Sequence, residues 1–288
     1  IFVPVTTHNF SKFHENRETG LVVFSRGGQK SAATREKSID FGRRILYTEN
    51  VKNAPDGAER IFGRYPMGNE QMIAKRPNKV IYRDGDTTVK LFDPTYAAAD
   101  VLNEALNLAR VGDADTPLHI PRLKEVTKID GQWAILYEYV EGESLANLMM
   151  AHPEKYDEYL NLFVDLQMLV HKQCVPLLSK LRDKMQGKIS ASGLDATLRY
   201  ELHTRLEGMP RHNKLCHGDF NAANIIITAS GDPYILDWSH VTQGNASADV
   251  ARTYLLLWLA GDIEGANAYL DLFCKKSDTA KQYVQKWM

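Results

Sequence analysis

The sequence predicts an α+β fold in two lobes, a small β-rich amino-terminal lobe and a mostly helical carboxy-terminal lobe. Three observations lead there. Residues 79–92 read as a β-hairpin around an Asp84-Gly85 turn and run into a helical repeat. Trp133 to Val140 is a continuous apolar run of strand character, broken at Glu141-Gly142. Beyond it, apolar residues recur three and four apart through most of the chain. With 288 residues, 44% of them hydrophobic, the chain can bury a sizeable core as one bilobal domain or two modest ones. We divide it at residues 1–65, 66–140 and 141–288.

Residues 1–65 carry no catalytic constellation. Thr7 to Arg17 is polar and irregular, Gly20 to Phe24 and Arg44 to Tyr47 look like strands, Ser31 to Lys37 is polar and basic, and Asn53 to Gly57 is a turn-rich linker. The segment is short for an independent domain and reads as a small regulatory or docking module or an extension packed on the next lobe.

In the second segment, alternation along Thr87 to Phe92 places Val89 and Leu91 on one face and Lys90 on the other, with Thr88 and Phe92. A helix follows from about Tyr96 to Ala109, its apolar stripe formed by Val101, Leu102, Ala105, Leu108 and Ala109. Glu104 lies off the centre of that stripe. Before the hairpin, Lys75-Arg76-Pro77-Asn78 forms a turn without glycine.

In the third segment Ser144 caps a helix starting at Leu145. Tyr156, Tyr159, Leu160, Phe163, Leu166, Leu169 and Val170 mark a packed helix over Pro153 to His171, with His171 expected as a capped or core residue. Leu194 to Leu206 is a second amphipathic helix, and Thr253 to Leu259 with Ile263 to Phe273 forms a final pair around Gly261-Asp262. Tyr254, Trp258, Tyr269 and Phe273 fit a substrate pocket, but their helical spacing favours core packing.

The chemistry is concentrated in residues 217–237: His217-Gly218-Asp219-Phe220-Asn221-Ala222-Ala223-Asn224, a short hairpin, then Asp237-Trp238. Ile225 to Thr228 reads as a strand, Ala229 to Pro233 as a turn and Tyr234 to Leu236 as the returning strand. A hairpin folded about Ser230 and Gly231 makes Asn224 and Asp237 cross-strand neighbours, with Cα atoms roughly 5 Å apart. Such an oxygen pair suits Mg²⁺, which takes a few hard ligands plus substrate phosphates. Asp219 then lies beside the metal, placed to accept a proton from a hydroxyl. Cys216 and His217 do not make a thiol–imidazole dyad, because neighbours in an extended segment point to opposite faces. His212, Cys216 and His217 lack zinc-ligand spacing.

This pattern is the H-x-D-x-x-x-x-N plus second Asp of the protein-kinase catalytic apparatus. Gly218 stands where protein kinases carry Arg, and Trp238-Ser239 replaces their Phe-Gly. In both respects the chain resembles the aminoglycoside phosphotransferase and choline kinase superfamily, a protein-kinase-like fold whose members phosphorylate small molecules. The resemblance runs from about Ile73 to the end of the chain. It implies Asp219 as catalytic base, Asn224 and Asp237 as magnesium ligands, His217 as a loop-bracing residue, and Asp249, in Asp249-Val250-Ala251-Arg252, as a buried Asp that opens a helix and braces the catalytic loop.

The resemblance further implies that residues 66–140 bind nucleotide and 141–288 carry catalysis and acceptor binding. Lys90 would contact the nucleotide phosphates and pair with Glu104, with Asp100 as rival for that pair. The carbonyl of Glu138 and the N–H of Val140 would meet the adenine edge. Family members often have a glycine in the phosphate-covering turn; here Lys75, Arg76 or Lys79 would have to reach phosphate by side chain.

The expected activity is transfer of phosphate from ATP, with Mg²⁺, to a hydroxyl of a small acceptor: an aminoglycoside, a choline-like alcohol or a sugar-like compound. Asp262 and Glu264 could draw a cationic acceptor, or form a solvated turn. The alternative is a non-catalytic nucleotide-sensing or interaction module coupled to the amino-terminal segment. A formal net charge of −1 makes no electrostatic case for nucleic acid or an anionic membrane. No apolar run approaches the roughly 18 residues of a membrane span. Cys174, Cys216 and Cys274 do not form a disulfide framework, and with no secretory signal visible the cytoplasm is the expected location. The chain opens on Ile1 rather than Met and closes on Trp287-Met288, so either end is read as open to truncation.

Overall fold

Short loops and alternating side chains build the amino-terminal sheet of the computed structural model, which describes residues 70–288 and two strands before them. Those two, Phe13–Asn16 (β1) and Leu21–Phe24 (β2), pair antiparallel. β2 matches an expected strand, whereas β1 falls in a stretch read as irregular. The expected strand at 44–47, the basic segment at 31–37 and the linker at 53–57 lie outside the described residues.

Glu70–Arg76 (β3), Lys79–Asp84 (β4), Thr87–Phe92 (β5), Leu123–Ile129 (β6) and Gln132–Glu138 (β7) form one antiparallel sheet in the order β3-β4-β5-β7-β6. The first connection is the glycine-free turn, with only Pro77 and Asn78 between the paired Arg76 and Lys79. Helix α1 (Ala98–Gly112) covers one face of the sheet, where Phe92, Val101, Ala105 and Ile135 pack together. Val89, Leu91, Ile129, Ala134 and Leu136 pack on the other face. The period-two reading of β5 therefore gave the right partition.

On α1 the stripe needs correction. Leu102 is 48% exposed, while Glu104 and Asn107 are buried. The buried face runs through Val101, Ala105 and Val111, and two polar residues share it because each meets a polar partner, Glu104 on the sheet and Asn107 across the lobes. Asn107 Nδ2 donates to the Ser239 carbonyl at 3.4 Å; the partner of Glu104 belongs to the site.

The second lobe begins at Glu143–Ser144 (β8). Ser144 caps α2 (Leu145–Ala151) by accepting the Asn147 N–H at 3.2 Å, as the sequence suggests. The long amphipathic helix is α3 (Tyr156–Lys172), preceded by a 3₁₀ turn. Next comes α4 (Leu181–Ser190), which the sequence reading missed: six of its ten residues are polar or charged, and Gly187 interrupts the apolar pattern. α5 (Ala196–Glu207) is capped by Asp195, which accepts the Leu198 N–H at 2.9 Å. Strand Lys214–Cys216 (β9) pairs with Thr242–Gly244 (β12). Between them, Ile225–Ile227 (β10) and Pro233–Ile235 (β11) form a hairpin whose free edge takes β8.

Helices α6 (Ala246–Leu259), α7 (Ile263–Ser277) and α8 (Lys281–Gln285) close the lobe. Tyr269 and Phe273 are buried in its core with Phe163, Leu206 and Trp238, and Trp258 is 37% exposed. Asp262 caps α7, accepting the Gly265 N–H at 2.8 Å. Among the described residues no helix is long and apolar enough to cross a membrane.

Candidate active site

The loop from Cys216 to Asn224 enters the site from β9 and leaves through a 3₁₀ turn into β10. Its shape comes from buried hydrogen bonds. Asp249, in the first turn of α6, accepts the Gly218 N–H on Oδ1 at 2.7 Å and the His217 N–H on Oδ2 at 3.1 Å. His171, at the end of α3, reaches the same carboxylate through Nε2 at 3.0 Å. It is thus a core histidine, as its position suggested. Burial would raise the Asp249 pKa, but His171, His217 and the backbone donors outweigh it and lower it.

His217 spans the loop. Its Nδ1 accepts the Asp219 N–H at 3.2 Å and its Nε2 lies 2.9 Å from the Leu236 carbonyl. A ring nitrogen that accepts from an amide carries no proton, so Nε2 is the protonated one and donates. The ring ties the Cys216–Asn224 loop to the residue that follows β11 and is fully buried against Phe220 and Trp238.

Asp219 is held on three sides. Asn221 Nδ2 donates to its carbonyl at 3.0 Å, and Asn224 Nδ2 donates to the same carbonyl at 3.0 Å and to Oδ2 at 3.3 Å. Arg252, from α6, donates through Nε to the Gly218 carbonyl and places Nη2 3.7 Å from Asp219 Oδ1. Asn221 also caps the 3₁₀ turn by accepting the Ala223 and Asn224 N–H groups at 3.1 and 3.2 Å. Sequence reading passed over Asn221; an Asn two residues after the acid, opening a short turn, was the available signal.

The hairpin differs from expectation by one position. Ile225 pairs with Ile235 and Ile227 with Pro233, so Asn224 lies opposite Leu236, not Asp237; the Leu236 N–H donates to the Asn224 carbonyl at 2.8 Å. The loop centres on Ser230 because Thr228, Ser230 and Asp232 bond to one another across it at 2.5–3.0 Å. Asp237, one residue beyond the pairing, adopts φ +57° and ψ +61°. Non-glycine residues seldom occupy that left-handed region, and when held there they cluster at functional sites.

Across the interlobe cleft, Lys90 Nζ forms an ion pair with Glu104 Oε1 and lies 3.1 Å from Asp237 Oδ1. Asp100, the rival, is exposed in the first turn of α1. Lys79 Nζ stands 3.9 Å from Asp237 Oδ2, so Lys79 is a turn cation that faces the site, whereas Lys75 is exposed. Burial works against both charges in the Lys90–Asp237 pair, but mutual attraction dominates: Lys90 is raised above the ordinary lysine range and Asp237 is held well below the carboxylate range. Lys79 is lowered, first by burial and then by Lys90.

The donor set suits a hard divalent cation. Asp237 offers a carboxylate held well below the ordinary range by Lys90 and Lys79, and the Asn224 amide spends its Nδ2 on Asp219, so its Oδ1 is the atom that could meet a cation. Glu138 and Val140 flank Tyr139 at the end of β7, both half-buried; the Tyr139 N–H donates to the Asp86 carbonyl at 2.9 Å and the Glu138 N–H to the Arg122 carbonyl at 2.9 Å.

A β-sheet lobe and a helical lobe, joined at a cleft that gathers Lys90, Glu104, Asp219, Asn224 and Asp237, define a protein-kinase-like phosphotransferase scaffold. Residues 78–282 match the Phosphotransferase enzyme family (APH), and the chain belongs to that family. No curated protein matches the sequence. The fold is shared with the aminoglycoside phosphotransferase APH(4)-Ia at 14% identity and a TM-score of 0.54, over 76% of this chain and 83% of that one. It is shared likewise with the aminoglycoside-3'-phosphotransferase of type VIII, at 17% identity and a TM-score of 0.55, over 78% and 96% of the two chains. A thermostable mutant of APH(4)-Ia has been solved in ternary complex with AMP-PNP and hygromycin B; it is 14% identical, with a TM-score of 0.55 over 76% and 83%.

Proposed function

We propose that this phosphotransferase moves the γ-phosphoryl group of ATP to a hydroxyl of a small molecule with the help of Mg²⁺. One observation carries the reading: Lys90 from the sheet and Asp237 from the helical lobe meet at 3.1 Å, while Leu236, next to Asp237, bonds the carbonyl of Asn224, whose amide holds Asp219.

Asp219 accepts the proton of the acceptor hydroxyl as its oxygen attacks the γ-phosphorus. The new P–O bond forms as the bond to the β–γ bridging oxygen breaks, ADP leaves with that electron pair, and the proton passes from Asp219 to solvent. Lys90, steadied by Glu104, holds the α- and β-phosphates, and Lys79 supplies a side-chain cation where the turn lacks glycine amides. Asn224 and Asp237 would hold Mg²⁺, which neutralises charge on the phosphates. Glu138 and Val140 would offer backbone groups to the adenine. His217 and Asp249 fix the loop so that Asp219 needs no rearrangement, which suits a reaction driven by positioning and charge stabilisation. The known acceptors of the similar solved structures make an aminoglycoside one option beside choline-like and sugar-like alcohols.

Calorimetric titration with a non-hydrolysable ATP analogue tests the reading. Mg²⁺-dependent binding, lost in Asp237→Ala, is the expected result. A folded chain that ignores the nucleotide would favour the alternative, an interaction module on the same scaffold.

A further inference from the structure

A cation borders the Asp219 carboxylate, and others gather behind it. Arg252 Nη2 stands 3.7 Å from its carboxylate. Behind Arg252, Lys184 Nζ donates at 3.2 Å to the carbonyl of His240, and His240 packs directly against Gly218 of the catalytic loop. Lys188 follows Lys184 by one helical turn on α4, which places both on the same side of that helix. Lys184 and Lys188 both lie within electrostatic reach of Arg252, and among the described residues neither has a carboxylate within ion-pair distance. Other buried or half-buried lysines are matched by carboxylates: Lys79 and Lys90 share Asp237, and Lys276 holds Asp165.

Uncompensated cations cost energy when they are gathered together. Burial, then Lys188 and Arg252, push the Lys184 ammonium down to about 8, and burial followed by Arg252 lowers Lys188. Groups that would draw a cation are placed elsewhere or already engaged. Asp262 spends its carboxylate on capping α7, beyond the end of α6, which lies roughly 10 Å along the helix axis from Arg252. Asp183, beside Lys184 in sequence, is exposed, and Asp219 is the acid that Arg252 already faces.

We propose that the acceptor is an anionic hydroxyl compound, carrying a carboxylate or phosphate group seated by Lys184, Lys188 and Arg252 while its hydroxyl meets Asp219. The inference rests on the phosphotransferase reading and narrows it, away from the polycationic aminoglycosides and quaternary amines. An acceptor of the opposite charge would place ammonium groups against three cations and gain only the single charge of Asp219.

The test uses the full chain with Mg²⁺ and AMP-PNP already bound, so that the phosphate subsite is filled and only the acceptor side is open. Five probes are titrated calorimetrically: glucuronate, glucose 6-phosphate, glucose, glucosamine and kanamycin. Release of ADP from ATP is followed in parallel. At least one of the two anionic probes is expected to bind tenfold or more tightly than glucose, and the two amines no more tightly than glucose. Comparing glucuronate with glucose 6-phosphate separates the carboxylate from the phosphate source. The double variant Lys184→Glu/Lys188→Glu should erase the anionic preference while its affinity for Mg²⁺ and AMP-PNP stays within twofold. Lys184→Gln/Lys188→Gln, which adds no new charge, should erase most of it too. Tighter binding of the amines, binding blind to charge, or no binding of any probe to the nucleotide-loaded chain would overturn the anionic acceptor alone. Failure to bind Mg²⁺ and AMP-PNP would overturn the phosphotransferase reading and this inference with it.

Discussion

Asp219 has two kinds of neighbour. Asn221 and Asn224 hold its backbone carbonyl, and Arg252 approaches its carboxylate at 3.7 Å. If Asp219 is the base proposed above, it acts on the acceptor, and Asp219→Asn should lower kcat by roughly 10²–10⁴, the usual worth of a positioned base, and leave the Kd for Mg²⁺-nucleotide within about twofold. Single-turnover ADP formation beside calorimetry separates the two; normal turnover in the variant would remove Asp219 from that role. Lys90 makes the contrasting prediction. It is 2% exposed and shares two carboxylates, so Lys90→Met leaves Glu104 and Asp237 facing each other with Lys79 as the nearest cation. The KM for ATP should rise at least about tenfold, equivalent to 1.4 kcal/mol. An unchanged KM with reduced kcat would mean that Lys90 does not meet the bound nucleotide.

At the scale of elements, two glycines set how the catalytic loop and the hairpin sit. Gly218 has φ +81°, and a Cβ there would lie 2.5 Å from the His240 carbonyl oxygen. Gly218→Ala should cost about 1–3 kcal/mol and lower kcat as well, because the loop cannot move without shifting Asp219. Thermal denaturation beside steady-state kinetics would show it; an alanine variant with wild-type values of both would mean that the loop is not held there. Gly142, with φ +159°, lies against the Ile227 carbonyl where β8 joins the hairpin edge, and a Cβ would overlap that oxygen. Much of this was legible beforehand. Period-two alternation found β5 and the inward face of Lys90, and the 217–237 motif found the cleft residues, because both signals are local. What escaped is tertiary or depends on side-chain detail. The hairpin register slipped by one because Thr228, Ser230 and Asp232 close a loop centred on Ser230, which strand propensity does not encode. Leu102 was assigned inward because polarity hid the buried roles of Glu104 and Asn107. The cations on α4 and α6 are separated by more than sixty residues, and only folding brings Lys184 and Lys188 within electrostatic reach of Arg252.

Over the whole molecule, the helical lobe is tied together at one carboxylate. Asp249 of α6 receives His171 from α3 and two amides of the catalytic loop, and its side chain is 1% exposed. Its pKa is lowered in the folded state, so the sign of the linkage is fixed: its contribution is present above the unfolded value of about 3.9 and is lost as pH falls toward the folded value. Asp249→Asn keeps the shape but replaces one acceptor oxygen with a donor aimed at a donor, which should destabilise the fold by about 1–3 kcal/mol at pH 7. It also removes a group that titrates. Denaturation midpoints measured from pH 7 down to pH 3 should therefore fall less steeply below pH 4 in the variant than in the wild type, and the two curves should converge in acid. Parallel curves would place the acid sensitivity in other carboxylates and leave Asp249 as a packing residue. Convergence together with a reduced kcat at pH 7 would tie catalysis to the same buried junction, since the atoms that stabilise the lobe are the ones that hold Asp219 in place.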